Sequence, residues 1–332
     1  MWWGGHRVKD LLSIFIPTYN RWGILEKTLE RTLESISGDV RVVVVDNDSN
    51  PNGKEKVEAV IAKYPNVDCR IIKNDANLGA DGNVLRCFEL CKTPYVMVLG
   101  DDDYLVSDFL QKIKKFFVSN HDIGFISFQV PRRYAKFVQR DEAFNSPYDM
   151  LQVSANWAEM LFVSTSIFKK DLVMLGLEQG QRHQLTCSAH LIALFKGWDA
   201  AQQLDPNRSY EFVLASDVII DSGGHAADHR SYSLMGVLKG LSVVRSVFIT
   251  EPQASVVRKS IRGATRYIFK PRVLVKDFFY YTLEFGFLQA WRQLCRSRFD
   301  LMYLIGLRSF WYRPYLHITV LMVGAWHTVF KK

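Results

Sequence analysis

Three consecutive aspartates, Asp101, Asp102 and Asp103, follow the apolar run Tyr95 to Leu99, with Gly100 between. Like charges a few ångströms apart raise one another's pKa, so the cluster is costly unless a cation holds it. A divalent metal answers that need. Mg2+ takes one or two protein carboxylates and fills its shell with water and phosphate oxygens, which makes a diphosphate the implied ligand. A solvated turn that caps the next helix is the competing reading for an Asp-rich loop. Two further polar segments, Pro17-Thr18-Tyr19-Asn20 and Asp46-Asn47, also follow apolar runs. Their place beside the aspartates at one sheet edge favours the metal.

The elements that must present these loops alternate along the chain to about residue 130, the pattern of a parallel sheet covered by helices. Leu11 to Ile16 reads as a strand closed by Pro17, and Arg41 to Val45 as a strand apolar enough to be buried on both faces. Between them Ile24, Leu25, Leu29, Leu33 and Ile36 recur at helical spacing, with Gly38 as a stop. Lys54–Tyr64 and Asp81–Cys91 read as helices, Cys69–Lys73 and Tyr95–Leu99 as strands. A helix over Ser107–Val118 and a strand over Ile123–Val130 complete the unit. Open parallel sheets bind ligands outside the carboxyl ends of their strands, where all three polar loops fall.

With these residues in view, the chain resembles the family 2 glycosyltransferases of GT-A fold, a Rossmann-like, mostly parallel sheet flanked by helices. The resemblance rests on Ser13-Ile14-Phe15-Ile16-Pro17-Thr18-Tyr19-Asn20-Arg21, Val42 to Asp46, Asn77-Leu78-Gly79 to Asn83, and Tyr95 to Asp103. The segment Asn77 to Cys87 is most similar to bacterial O-antigen sugar transferases of the abequosyltransferase type. The resemblance implies that Pro17, Thr18 and Tyr19 line a nucleotide pocket and that Asp46 accepts a hydrogen bond from the base. Asn77, Gly79 and Asn83 would shape the donor loop, while Arg86 would meet phosphate or, the favoured reading, sit on a solvated helix face. The family has Asp, small residue, Asp, Asp at this strand end, and here the first is Gly100. Aligned on Tyr104-Leu105, Asp102 falls on the family's metal ligand, with Asp103 beside it, and Asp101 replaces the missing carboxylate. Mg2+ or Mn2+ is the implied cofactor and inversion the family's usual stereochemistry.

Beyond residue 131 the alternation fades, as expected of a half that supplies the acceptor site. Trp157–Phe168 reads as a strand, Ser188–Phe195 as a helix and Tyr210–Ile220 as a strand. Relatives present a Glu-Asp pair at a helix N-terminus here, and none is visible. Thr186-Cys187-Ser188-Ala189-His190-Leu191 stands in its place, which makes His190 the candidate general base, since histidine titrates near neutrality. A packing histidine is the more common case, and Asp199 and Asp217 are the reserve candidates. Gly223 to Arg230 holds His225, Asp228 and His229, which would complete a metal shell or form a lid, or would be only a polar hinge; His225 is the metal candidate.

The chain has 332 residues, 48% hydrophobic, with a net charge of +8. Residues 261–332 hold 12 of the 42 Lys and Arg but 3 of the 34 Asp and Glu, so the positive excess lies there. This segment is also rich in aromatics, including Phe278-Phe279-Tyr280-Tyr281 and Phe310-Trp311-Tyr312. Basic plus aromatic suits an anionic membrane surface or nucleic acid, and the transferase resemblance decides for the membrane. No window reaches the apolar length of a spanning helix, no secretory signal is visible, and the five scattered cysteines read as reduced thiols. The expectation is a protein at the cytoplasmic face of the cell membrane. Residues 1–130 would bind a nucleotide-sugar donor and 131–260 a glycan acceptor, one linked to polyprenyl diphosphate in bacterial surface polysaccharide (O-antigen or capsule) synthesis. Residues 261–332 would be a helical extension on the membrane. The alternatives are a sugar-1-phosphate nucleotidyltransferase, against which stands the lack of a Gly-rich phosphate loop after the first strand, and a non-catalytic membrane scaffold.

Overall fold

The computed structural model describes residues 2–3, 6–36, 38–118, 122–129, 140–154, 157–221, 234–250 and 252–268. The chain divides into two compact units, residues 1–154 with 159–229, and residues 155–158 with 230–332. The first unit is built on an eight-stranded sheet. Its leading half contains β1 (Leu12–Thr18), β2 (Arg41–Asp46), β3 (Cys69–Lys73) and β4 (Tyr95–Val98), in the spatial order β3-β2-β1-β4 and all parallel. β1, β2 and β4 are rich in apolar residues and buried on both faces, as crossover-connected parallel strands tend to be, while β3 at the sheet edge is only partly covered. Pairing of Thr18 with Asp46, and of Phe15 with Val98, brings the ends of β1, β2 and β4 to one edge.

The crossovers are α1 (Trp22–Ile36), α2 (Lys54–Lys63) and α3 (Gly79–Leu90). Leu25, Leu29, Leu33 and Ile36 of α1 lie fully against the sheet. Each such burial contributes about 1.5–3 kcal/mol before entropy is counted. After β4 come the short β5 (Tyr104–Leu105), α4 (Phe109–Val118), β6 (Ile123–Ser127), β7 (Glu142–Phe144) and α5 (Pro147–Ser154). The chain then forms β8 (Ser166–Lys169), α6 (Lys170–Leu175), α7 (Leu177–Arg182), α8 (Ala189–Leu204), β9 (Glu211–Leu214) and β10 (Ile220–Asp221). The sheet continues from β4 as β8-β6-β9-β7, with β8 antiparallel to both its neighbours and β9 parallel to β6. β10 pairs with β5 in a separate ribbon that braces the chain just after the aspartates.

Several expectations for the second half are corrected. Trp157–Phe168 is not one strand but a helical turn at Trp157–Met160, a 3-10 turn at Val163–Thr165 and then β8. The Thr165 hydroxyl and N–H both bond the Phe162 carbonyl at 2.8 and 3.1 Å, so side-chain chemistry competes with the ladder. The strand expected over Tyr210–Ile220 stops at Leu214, because the Ser216 N–H and hydroxyl both turn to the Asp141 carboxylate at 2.8 Å. α8 runs nine residues beyond Phe195, through a glycine that serves packing. A Cβ on Gly197 would lie 1.9 Å from the Leu172 carbonyl, and one on Gly176 2.0 Å from that of Ala193, so two glycines let α6 and α8 touch backbone to backbone.

The described part of the second unit is a pair of helices, α9 (Leu234–Val247) and α10 (Gln253–Ile268). Leu241, Val244, Phe248, Val257 and Ile261 form its core, with Trp157 set edge-on to Phe248. Among the described residues no helix is long and apolar enough to cross a membrane. The aromatic clusters beyond Ile268 lie outside the described residues, as do residues 222–233 with His225, Asp228 and His229.

Candidate active site

The Leu99 N–H bonds the Phe15 carbonyl at 2.8 Å, so the turn that follows begins directly at the sheet edge. The three aspartates of that turn have three different fates. Asp101 is buried, with Oδ2 accepting the Thr18 hydroxyl at 2.8 Å and Oδ1 facing Arg21 Nη1 at 2.8 Å. Its own carbonyl accepts the Thr28 hydroxyl at 2.7 Å. Asp103 turns inward, accepting the Ser164 hydroxyl at 2.6 Å, and the Ser164 oxygen in turn accepts the Gly100 N–H at 2.8 Å. Asp102 is the carboxylate that keeps access to solvent, and its only protein contact described is Arg21 Nη2 at 2.7 Å.

Burial pushes the Asp101 carboxyl up to about 6, against the pull of Arg21 and Thr18. It pushes Asp103 up to about 6 as well, against Ser164. Arg21 loses solvation in the same place, but the aspartates outweigh that loss and raise its pKa. The glycine where the family has its first aspartate now has a physical reason. A Cβ on Gly100 would sit 2.6 Å from Asp103 Oδ2 and 3.2 Å from Ser164 Oγ, so an inward Asp103 excludes a side chain there.

Beside the turn, a network of amides shapes a second wall. Asp46 is buried and its Oδ1 accepts the Ser49 N–H at 2.9 Å. Asn47 donates to Asn77 Oδ1 at 2.8 Å and to the Gly79 carbonyl at 3.2 Å, and accepts the Leu78 N–H at 2.9 Å. Asn74 links Asn47 to Asn83, and Asn83 reaches the Val45 carbonyl at 3.1 Å. Gly79 holds φ +76°, a left-handed value that a side chain would strain. Asn20, at φ +55°, donates its N–H to Ser49 Oγ and so ties the loop after β1 to the loop after β2. Pro17 and Thr18 lie at the end of β1, and Tyr19 is exposed at the rim.

Carboxylates on one side and a hydrogen-bonded, Asn-rich loop on the other thus meet at the edge of the parallel strands. Residues 13–171 match the family described as Glycosyl transferase family 2. They form a family 2 glycosyltransferase domain. The abequosyltransferase of Salmonella typhimurium is 32% identical over 115 residues, 34% of each chain. An uncharacterized glycosyltransferase of Mycoplasma genitalium is 31% identical over 118 residues, 35% of this chain and 39% of that one. The chain spans only 33% to 42% of the length of four such relatives. Among solved structures, Staphylococcus aureus TarS 1–349 in complex with UDP-GlcNAc has a TM-score of 0.56 at 14% identity, over 90% of this chain and 82% of that one. The mannosyltransferase PcManGT from Pyrobaculum calidifontis, in complex with GDP-Man and Mn2+, has 0.53 at 16%, over 97% and 87%. Such identities make the likeness one of fold, and the fold is GT-A.

Elsewhere in the first unit the candidates of the second half are scattered. His190, the candidate base, is enclosed. It is buried in the first turn of α8, edge-on to Phe168, and among the described residues Nε2 has no hydrogen-bond partner. Burial pushes its imidazole down to about 4, outweighing the hydrogen bond to the Met160 backbone. Asp199 accepts the Tyr148 hydroxyl at 3.1 Å and lies 3.3 Å from Lys196 Nζ. Asp217 pairs with Lys115 at 2.7 Å. Arg86 pairs with Glu89 at 2.6 Å on a half-buried face of α3.

Three residues of the family 2 domain escaped the sequence reading. Arg21 stood at the end of the first motif, and the demand for a cation near the aspartates was the signal that pointed to it. Asp81 and Ser164 gave no local signal, since each acts on residues more than sixty positions away. The donor set fits a hard divalent cation. Asp102 offers free carboxylate oxygen, and a guanidinium already stands against it as a cation in place. Among the described residues no three His, Cys, Asp or Glu side chains are grouped as a metal site.

Proposed function

We propose that this transferase moves a sugar from a nucleoside diphosphate donor to a hydroxyl of a glycan acceptor. The observation that carries the reading is the accessible Asp102 at the sheet edge, facing Arg21 and next to the wall of Asp46, Asn47 and Asn77. In this reading Pro17, Thr18, Tyr19 and Asp46 hold the nucleoside, while Asn77, Gly79 and Asn83 keep the donor loop rigid. Asp102, with Asp101 behind it, holds Mg2+ or Mn2+. That ion supplies neutralisation of the charge that builds on the departing nucleoside diphosphate. The relatives support it: one is named an abequosyltransferase, and two structural neighbours carry UDP-GlcNAc, or GDP-Man with Mn2+.

The finer reading places the acceptor on a polyprenyl diphosphate in surface polysaccharide synthesis, with the protein held on the inner membrane face. Residues 1–130 then serve the donor, 131–260 the acceptor and 261–332 the membrane. Two things support the last assignment: the charge excess of residues 261–332 and the composition of α10. That helix carries Arg258, Lys259, Arg262 and Arg266 and no acidic residue. Its apolar positions Ala254, Val257, Ile261 and Ala264 are buried, while Lys259 and Arg262 are exposed.

The test is a thermal-shift panel of UDP-, GDP-, CDP- and dTDP-sugars with and without Mn2+. A ligand selective for the folded state raises the melting temperature by mass action. One donor is expected to stabilise only with metal; stabilisation by none of them ends the reading.

A further inference from the structure

We infer that Arg21 is a built-in counter-cation that keeps bare divalent metal off Asp102 and yields only to metal that arrives chelated by the donor's diphosphate. The inference rests on the transferase reading of the site and deepens it, because it sets the order in which metal and nucleotide bind.

Arg21 spans two carboxylates at once, with Nη1 2.8 Å from Asp101 Oδ1 and Nη2 2.7 Å from Asp102 Oδ2. A fork of this kind is the strong form of an ion pair, since each bond is charge-assisted and the planar group is already organised for both. The backbone beneath it is fixed as well. The Arg21 carbonyl accepts the N–H groups of Ile24 and Leu25 at 3.0 Å, and Trp22 Nε1 bonds the Asn50 carbonyl at 2.6 Å. The backbone that carries the guanidinium is therefore anchored beneath the aspartates, and any exchange of partners is made by the side chain alone.

A bare divalent ion approaching Asp102 must either stand beside the guanidinium, where like charges repel, or push it off both carboxylates. Pushing it off strips charge-assisted bonds in a partly buried place and returns nothing. A metal–diphosphate complex changes the exchange, because its phosphate oxygens accept the N–H groups that the aspartates release. The group is already short of an acceptor: Nε of Arg21 is buried and has no hydrogen-bond partner among the described residues. Arg21 thus holds the cluster together before donor arrives and passes from carboxylate to phosphate as it binds.

The experiment measures Mn2+ binding to the full chain by the electron paramagnetic resonance of the free ion, alone and with UDP, GDP, CDP or dTDP. It uses the parent, Arg21→Gln and Arg21→Lys. For the parent, Mn2+ alone is expected to bind at least about tenfold more weakly than in the presence of the diphosphate it accepts. Arg21→Gln removes the competing charge and leaves an amide of similar reach. Mn2+ alone should then bind about tenfold more tightly than to the parent, while the gain from nucleotide shrinks. If folded Arg21→Gln binds Mn2+ alone no better than the parent, the inference is overturned. Should that variant not fold, Arg21→Lys decides, since an ammonium is a point charge and cannot fork across both carboxylates. Its affinity for Mn2+ alone should rise about threefold, and an unchanged value overturns the inference equally. A parent that binds Mn2+ alone as tightly as with nucleotide also overturns it. Failure of every diphosphate to bind the parent would instead end the donor reading, and the Mn2+-alone comparison would still decide the role of Arg21.

Discussion

Asp81 and Thr186 are joined across 105 positions of chain, the Asp81 carboxylate accepting the Thr186 N–H at 2.8 Å. The same oxygen accepts the Cys187 N–H at 3.0 Å. Leu185 and Cys187 hold positive φ of 67° and 55°, a conformation that side chains rarely adopt. One half-buried carboxylate in the first turn of α3 thus holds a strained loop at the start of α8, and the donor loop and that segment are tied together.

Replacing Asp81 by alanine leaves these N–H groups without their acceptor and the left-handed residues without a tether. A loss of about 1–3 kcal/mol is expected, the usual cost of orphaned buried donors. Hydrogen exchange should quicken first at Thr186 and Cys187. Asp81→Asn keeps one acceptor oxygen and should recover part of both. Exchange at those two amides no faster than in the parent would show that the loop holds itself.

Asp102→Asn removes a hard anionic oxygen without changing volume. Among the described residues Asp102 pairs with Arg21 alone, and the amide oxygen of Asn can still accept from the guanidinium, so a stability loss of about 1–2 kcal/mol is expected. Calorimetry of the nucleoside diphosphate with and without Mn2+ should show the metal-dependent part of binding gone. A variant that keeps the parent's metal dependence would remove Asp102 from the site.

The first half of the fold was legible because its elements declare themselves locally. The β-branched run at Arg41–Asp46 and the 3.6-residue spacing from Leu25 to Ile36 each follow from burial, and both elements fall where periodicity puts them. The edge that gathers Thr18, Asp46 and Asp101 follows from parallel topology alone. The roles of the aspartates were not legible, because they are set by partners distant in sequence. The like charges of the cluster call for a cation, and Arg21, distant in sequence, stands against two of the carboxylates. Ser164, 61 positions from Asp103, decides which carboxylate turns inward. His190 illustrates the opposite limit: its type suggested a base, while its enclosure beside Phe168 gives it a packing role.

Gly100→Ala tests the arrangement of the turn. The added methyl would meet Asp103 Oδ2 at 2.6 Å, so Asp103 must leave Ser164 or the turn must move. Destabilisation of about 1–3 kcal/mol is expected from this overpacking. Ser164→Ala frees the space but strips both Asp103 and the Gly100 N–H, for a similar loss. Combining the two should cost less than their sum, since the alanine methyl at position 100 no longer meets a held carboxylate. Strict additivity in urea denaturation would show that Asp103 and Ser164 do not constrain Gly100.

The exposed cations of α10 should matter for an anionic surface. Its apolar side is already buried, so attachment through this helix would be electrostatic and salt-sensitive. Each basic residue near such a surface contributes about 1 kcal/mol, so reversing both Lys259 and Arg262 to glutamate should lower vesicle partitioning more than about tenfold. Sedimentation with vesicles containing phosphatidylglycerol, across a salt series, measures this. Equal partitioning of parent and variant at low salt would leave α10 a purely structural helix.

His190 supplies a pH signature. Its folded pKa is depressed from 6.5 to about 4, so between those values the unfolded chain takes up a proton that the native state refuses. Stability from this residue is therefore complete above pH 6.5, declines as pH falls and levels off below about 4, a span of about 3 kcal/mol. His190→Gln does not titrate, and Asp101 and Asp103 titrate alike in both proteins and cancel in the comparison. The variant should be the less stable protein at pH 7.5, and the gap should narrow by about 2 kcal/mol on moving to pH 5. A gap that stays constant, or widens, would show that His190 is protonated in the folded state. The same variant separates packing from catalysis. Loss of a general base lowers turnover by about 10²–10⁴-fold, whereas a buried packing residue should leave turnover at pH 7.5 within about threefold of the parent once the folded fraction is matched.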